Sequence, residues 1–269
     1  MNKMLAEKST QKLPLEDTKS LVRKAIGIID FNPDQNPDKR QYVERISALV
    51  PQGVATQGMP FRQLRRLSDF DALILTGSRL SAANYQCMVK SGKAPGDEYL
   101  SVDNVVKELR GYTKPLFGIC FGAQLIAHLV GGEIGSLAET EAGYLTHQLT
   151  EEGKKDPLFR NLPPVFYGAH LHTDYVANLP KGGGIDSRIL ATRNGHIHAF
   201  RIGTNNTFYY GTQFHPEMSN KDDAAFLVRA NSAWLKAVIG ERKFKRALAL
   251  PVDAGFEVAG LIGSFAESI

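Results

Sequence analysis

The sequence predicts an α/β fold built on an open, mainly parallel sheet, with helices on both faces and antiparallel edge additions. Short apolar runs alternate with helical patterns through the first half, the alternation that builds parallel sheets. The second half instead carries strand-like runs separated by turns. Length agrees: 269 residues, 43% hydrophobic and 22% charged, make a chain that buries roughly 70 to 75% of its unfolded surface and folds without disulfide or metal.

Ala25-Ile26-Gly27-Ile28-Ile29-Asp30-Phe31 reads as a buried strand, stopped by a turn at Asn32-Pro33-Asp34. Arg40 to Val50 places Tyr42, Val43, Ile46, Leu49 and Val50 at helical spacing, and Asp71 to Leu75 returns as a strand. Tyr99 to Leu109 repeats the helical pattern. Leu116-Phe117-Gly118-Ile119 is another buried run, followed directly by a helix carrying Leu125, Ile126, Leu129 and Val130. Such a sheet is flavodoxin-like. Ala191 to Ile202 and Thr207 to Phe214, separated by Gly203-Thr204-Asn205-Asn206, read as the antiparallel additions. Ala224 to Val238 closes the domain as one amphipathic helix whose stripe is Phe226, Leu227, Ala230, Trp234 and Leu235. The expected division is a mobile arm over 1–24, one domain over 25–240 and an extension over 241–269, in which Arg242, Lys243, Lys245 and Arg246 form a solvated face.

A net charge of +4, spread along the chain, gives no reason to expect nucleic acid or an anionic membrane as a partner. Cys87 and Cys120 are the only cysteines, which speaks against a disulfide scaffold and for a reducing, cytoplasmic setting. Residues 1–20 hold no signal-peptide core. The apolar stretch from Ala247 to Phe265 is interrupted by Pro251, Asp253 and Glu257, short of a membrane span.

Chemistry enters at Gly118-Ile119-Cys120-Phe121-Gly122, a strand-to-helix junction. A nucleophile on so sharp a turn needs neighbours without a Cβ, and Gly118 and Gly122 stand two residues to either side. The turn aims the sulfur beside the first N–H groups of a helix, whose partial charge favours a thiolate. A base and an orienting acid are then required, and Gln213-Phe214-His215-Pro216-Glu217 offers both. In an extended segment His215 and Glu217 point the same way, so one ring nitrogen faces Cys120 while Glu217 orients the imidazole. Thr76-Gly77-Ser78 ends a parallel strand on the side where sites collect in open sheets. The N–H groups of Gly77 and Phe121 are the expected oxyanion donors.

In these motifs the chain resembles the class I, triad-type glutamine amidotransferases, from about Ala25 to Leu235. The likeness rests on Thr76-Gly77-Ser78, the run from Lys114 through Cys120 to Ala127, His172-Thr173-Asp174, and Gln213 to Glu217. It implies that Cys120 attacks the side-chain amide of glutamine, giving a γ-glutamyl thioester and ammonia, and that His215 protonates the departing amine and later activates water. It also implies that Gln124 helps hold the substrate, with backbone near His172 and Asp174 contacting its α-amino and carboxylate groups. His172-x-Asp174 is nearest to the GMP synthetase amidotransferase branch, and Glu141-Ala142-Gly143 falls where the family often has a Glu-x-Gly element. Ala123 stands where many relatives have histidine or methionine. The family needs no cofactor. With no ATP-binding glycine loop, ammonia that is passed on is expected to go to a separate synthetase; otherwise the chain releases glutamate and ammonia itself.

Other readings stand beside this one. A γ-glutamyl peptide hydrolase would use the same triad on another γ-glutamyl amide. A non-catalytic regulatory module would keep the fold without the reaction. A Cys-for-Ser α/β-hydrolase would share the turn, but there the acid precedes the histidine. The pairs His170, His172 and His196, His198 could present imidazoles to a metal, yet no carboxylate-rich third ligand set accompanies them, so none is expected. Cys87 is a bystander.

Overall fold

The computed structural model describes residues 24–32, 41–204, 207–251 and 255–269. The expected mobile arm up to 23, the Pro33-Asp34 turn and Asn205-Asn206 lie outside the described residues.

The first half alternates strand and helix as its pattern predicts. In chain order it runs β1 (Ala25–Asp30), α1 (Gln41–Ala48), β2 (Ala55–Pro60), β3 (Ala72–Leu75), α2 (Ala82–Lys90), α3 (Asp97–Arg110), β4 (Leu116–Ile119) and α4 (Phe121–Leu129). Then come β5 (Glu133–Leu149), α5 (Glu151–Lys155), β6 (Val165–Asn178), β7 (Asp186–Arg193), β8 (His196–Thr204) and β9 (Thr207–Thr212), followed by α6 (Lys221–Arg229), α7 (Ser232–Leu248) and α8 (Gly260–Ser268).

One nine-stranded sheet holds all the strands in the order β2-β1-β3-β4-β9-β8-β6-β5-β7. The pairs from β2 to β9 are parallel, and those from β9 onward are antiparallel. The expectation of a mainly parallel sheet is thus met in part. The sheet is mixed: β5 and β6, long strands absent from the sequence reading, join β7 and β8 in an antiparallel half, and β9, expected as an antiparallel edge addition, lies inside the sheet, parallel to β4 and antiparallel to β8.

Alternation along the central strands sends side chains to two separate cores. Leu73 and Leu75 of β3 pack with Val102, Val105 and Leu109 of α3 and Leu125 and Ile126 of α4. Ala72 and Ile74 face the other way, onto Ile46 of α1 and Leu261, Ile262 and Phe265 of α8. Helices therefore cover both faces of the parallel half. The last helix lies against that core, with the Phe265 ring 5.3 Å from Phe117, although the stretch beyond Gly240 reads as an extension.

Two further expectations are corrected. The run Ala191 to Ile202 is parts of two strands, joined by Asn194 (φ 49°) and Gly195 (φ 81°), the left-handed pair of a tight hairpin that an Asn-Gly dipeptide favours. The single helix Ala224 to Val238 is two, broken at Asn231, whose side-chain amide donates to Leu227 O (2.9 Å). The break rotates the apolar stripe, so Leu235 is buried while Trp234 is 41% exposed. Arg242, Lys243, Lys245 and Arg246 are exposed, as expected. Among the described residues no helix is long and apolar enough to cross a membrane.

Candidate active site

β4 ends at Ile119 and α4 begins at Phe121, so Cys120 alone makes the turn between them. Its backbone is held at φ 52°, ψ −107°, a conformation that costs a non-glycine residue about 1–3 kcal/mol. Two hydrogen bonds hold it there: its N–H donates to Thr212 O at the end of β9 (2.7 Å), and its carbonyl accepts from Gln124 N–H (3.1 Å). The flanking glycines are sterically required. A Cβ on Gly118 would lie 2.6 Å from Gly122 O, and one on Gly122 would lie 2.3 Å from Leu75 O, so β4, α4 and β3 could not close.

Beyond β9 the chain turns back over the same spot. His215 N–H donates to Ala169 O of β6 (2.9 Å), and Met218 N–H returns to His215 O (3.2 Å). That reversal through Pro216 sets Glu217 Oε1 2.7 Å from His215 Nδ1. The two residues meet through a turn and not, as expected, through alternation along a strand, since β9 has already stopped at Thr212. His215 Nε2 is buried without a hydrogen-bond partner among the described residues. It is the ring nitrogen left for the thiol.

Cys120 and His215 line one cavity of about 570 Å³, together with Gly77, Phe121, Gln124, His172 and Asp174. A Cβ placed on Gly77 would stand 2.8 Å from His215 Cε1 and 3.6 Å from Cys120 Cβ, so imidazole and thiol converge on one point beside Gly77. Burial opposes a charge on His215, but the Glu217 carboxylate and the Cys120 sulfur outweigh it and lift the ring to about 10. The imidazole is therefore protonated at neutral pH.

The Gly77 loop is pinned from both sides. Phe31 N–H donates to Thr76 Oγ1 (3.0 Å), Gly122 N–H to Thr76 O (3.1 Å), and Ser78 Oγ to Phe31 O (2.8 Å). Phe121 opens α4, where the first N–H groups have no acceptor within the helix.

Gln124 donates through Nε2 to Asp174 O (2.8 Å) and to Gln213 Oε1 (3.1 Å), and Gln213 Nε2 reaches Cys120 Sγ at 3.5 Å. Gln213 is a site residue to which the sequence reading attached no role. Nothing in its local pattern separates it from an ordinary strand-end glutamine. The Asp174 carboxylate is tied to α2 and β5: Oδ2 accepts from Ser81 Oγ (2.6 Å) and Ala83 N–H (3.0 Å), and Oδ1 from Ser136 Oγ (2.7 Å). Ser81 and Ser136 escaped notice because α2 and β5 did. His172 Nδ1 pairs with the Asp174 carbonyl (3.0 Å).

The two histidine pairs of the sequence divide. His196 packs edge-on against Tyr175, centroids 4.4 Å apart, whereas His170, His172 and His198 turn inward beside Glu141. Cys87 is exposed on α2.

A family model described as glutamine amidotransferase class-I matches residues 71–232. The chain is 32% identical over 164 residues to a glutamine-hydrolyzing GMP synthase subunit of Sulfolobus acidocaldarius, a match spanning 61% of this chain and 76% of that protein. It is 30% identical over 166 residues to a gamma-glutamyl-L-1-hydroxyisopropylamide hydrolase of Pseudomonas, spanning 60% of this chain and 52% of that one. Among solved structures, a glutamine amidotransferase from Thermotoga maritima superposes with a TM-score of 0.61 at 17% identity, over 91% of this chain and 95% of that one. This last likeness is one of fold.

Proposed function

Since the chain belongs to the class-I glutamine amidotransferase family, we propose that it hydrolyses the side-chain amide of glutamine through a thioester on Cys120, with His215 and Glu217 completing the catalytic set. The observation that carries this reading is the strained Cys120 at the head of α4, sharing a cavity with an imidazole already bonded to Glu217.

The thiolate attacks the amide carbon, and the carbonyl electrons move onto oxygen between the N–H groups of Gly77 and Phe121. The imidazolium of His215 gives its proton to the amide nitrogen as the C–N bond breaks, releasing ammonia. His215, now neutral, takes a proton from water; hydroxide adds to the thioester, and glutamate leaves as Cys120 is restored. Glu217 stabilises the charged ring throughout and does not react. Gln124 and the backbone from His172 to Asp174 hold the substrate. Arg79 and Glu98, opposite charges that also line the cavity, suit the α-carboxylate and α-ammonium of an amino acid. By analogy with the relative described as part of a synthase, the ammonia passes to a synthetase partner.

A second reading is favoured by the outer wall. Leu171, Phe226, Leu227 and Trp234 line the same cavity, an apolar surface that suits a γ-glutamyl amide with an N-alkyl leaving group. The chemistry is unchanged, and only the departing amine differs.

The deciding experiment labels the protein with a glutamine-like chloroketone and competes the labelling with free glutamine or with γ-glutamyl alkylamides. Labelling at Cys120 that glutamine suppresses best supports the first reading, and better protection by the alkylamides supports the second. Glutamine turnover retained in Cys120→Ala would overturn both.

A further inference from the structure

The geometry points to a divalent metal site of zinc type behind the cavity wall, formed by Glu141 of β5, His170 and His172 of β6, and His198 of β8. One donor atom from each of these four side chains lies within 4.8 Å of all the others. An ion about 2.0–2.1 Å from four tetrahedral donors sets neighbouring donors roughly 3.3 Å apart. Here His170 Nδ1 and His172 Nε2 are 3.0 Å apart. His172 Nε2 stands 3.3 Å from Glu141 Oε2, and His198 Nε2 lies 3.9 Å from that same oxygen. These three pairs stand near the spacing an ion requires, and the whole set lies within 4.8 Å. Three nitrogens and one carboxylate oxygen are a donor set that zinc accepts.

The outer contacts are those that orient metal ligands. His172 Nδ1–H donates to the Asp174 carbonyl (3.0 Å), which leaves Nε2 as a bare lone pair facing the cluster. His170 Nε2 meets His147 Nε2 at 2.8 Å, so a proton placed on the outer nitrogen of His170 is shared with His147 and Nδ1 is free to coordinate. No net proton is lost, because each neutral ring only exchanges tautomers. Arg193 Nε holds Glu141 Oε1 at 3.2 Å and leaves Oε2 pointing at the histidines.

Without an ion the cluster is incomplete as a hydrogen-bond network. Glu141 Oε2, the oxygen that faces the histidines, is buried with no hydrogen-bond partner among the described residues, a state that native interiors rarely tolerate. All four positions of a tetrahedron come from the protein, which is the mark of a structural and not a catalytic ion. The seam it would close is a thin one: β6 and β8 share a single register pair, Val176 with Ile197. His172 lines the cavity, so the ion would also stiffen the proposed substrate wall.

The site is tested on untagged full-length protein, stripped with a chelator and titrated with zinc chloride against a chromophoric competitor. One equivalent should bind to the wild type and equally to Cys120→Ala, which removes the other plausible zinc ligand. Binding should weaken at least tenfold in Glu141→Gln and in His198→Asn, and zinc should raise the melting temperature of the first two proteins by several degrees. Cobalt in place of zinc should give tetrahedral visible bands without a sulfur-to-metal charge-transfer band, a measurement that decides the matter even where the buried variants fail to fold. No zinc bound by the wild type, binding lost in Cys120→Ala, or a cobalt spectrum showing thiolate would each overturn the proposal.

Discussion

His215 and Glu217 meet at 2.7 Å inside a buried turn, with Pro216 between them, so the acid reaches the ring from the residue but one beyond it. A carboxylate so close in sequence leaves the imidazole little freedom to rotate. Its charge, with the Cys120 sulfur, outweighs the burial that would otherwise keep the ring neutral.

Glu217→Gln should lower kcat by about two to four orders of magnitude while Cys120 still reacts with an alkylator. The ring, held near 10 in the native site, should lose its proton at lower pH in the variant. The alkaline limb of kcat/KM for glutamine therefore moves down in pH. The same linkage acts on stability. A histidine whose folded pKa is raised contributes fully below about 6.5, and that contribution is lost as pH rises through about 10. The difference in urea midpoint between wild type and variant should narrow over that interval, and an unshifted alkaline limb would remove Glu217 from the proposed role.

Gly77→Ala places a methyl 2.8 Å from His215 Cε1. No left-handed backbone angle is at stake there, so the fold should tolerate the change better than the reaction does. A displacement of a few tenths of an ångström to 1 Å in the imidazole should reduce kcat about 10- to 100-fold. Thermal unfolding beside glutaminase kinetics checks this, and unchanged kcat would mean that the ring does not work against Gly77.

Asp174→Asn tests whether that carboxylate is a structural tie or a substrate contact. Its oxygens accept charge-assisted bonds from Ser81 and Ala83 at the start of α2 and from Ser136 of β5. Their weakening should cost about 1–3 kcal/mol of stability. The Asp174 carbonyl, which holds Gln124 and His172, remains in place. KM for glutamine should rise modestly with kcat nearly unchanged, whereas a large fall in kcat at unchanged stability would place the carboxylate in the reaction.

Phe265→Ala measures how far the last helix belongs to the domain. The side chain is fully buried, with its ring 5.3 Å from Phe117 and 6.4 Å from Phe208. Truncating such a ring costs about 3–5 kcal/mol. Urea unfolding would read the loss, and a change below about 1 kcal/mol would show that α8 rests on the sheet without supporting it.

By itself the sequence determined what depends on neighbours along the chain. The apolar runs of β1, β3 and β4, bounded by turns, read as strands buried on both faces. The glycines around Cys120 are legible as a strained turn because a Cβ at either position would strike backbone. His215 and Glu217 could be paired from their spacing, although a turn and not a strand brings them together. Tertiary structure decided the rest. Strand β5 is partly exposed along its length, and β6 alternates in burial from His170 to Val176 but with His170, His172 and Asp174 on its buried side, so hydropathy announces neither, and the extent of the antiparallel half went unread. With them went the Ser81 and Ser136 ties to Asp174, the contact of Gln213 with Cys120, and the gathering of Glu141 with His198 from strands far apart in the chain. Periodicity records which side of its own element a residue faces, and contacts between distant elements are set by packing, which no local window contains.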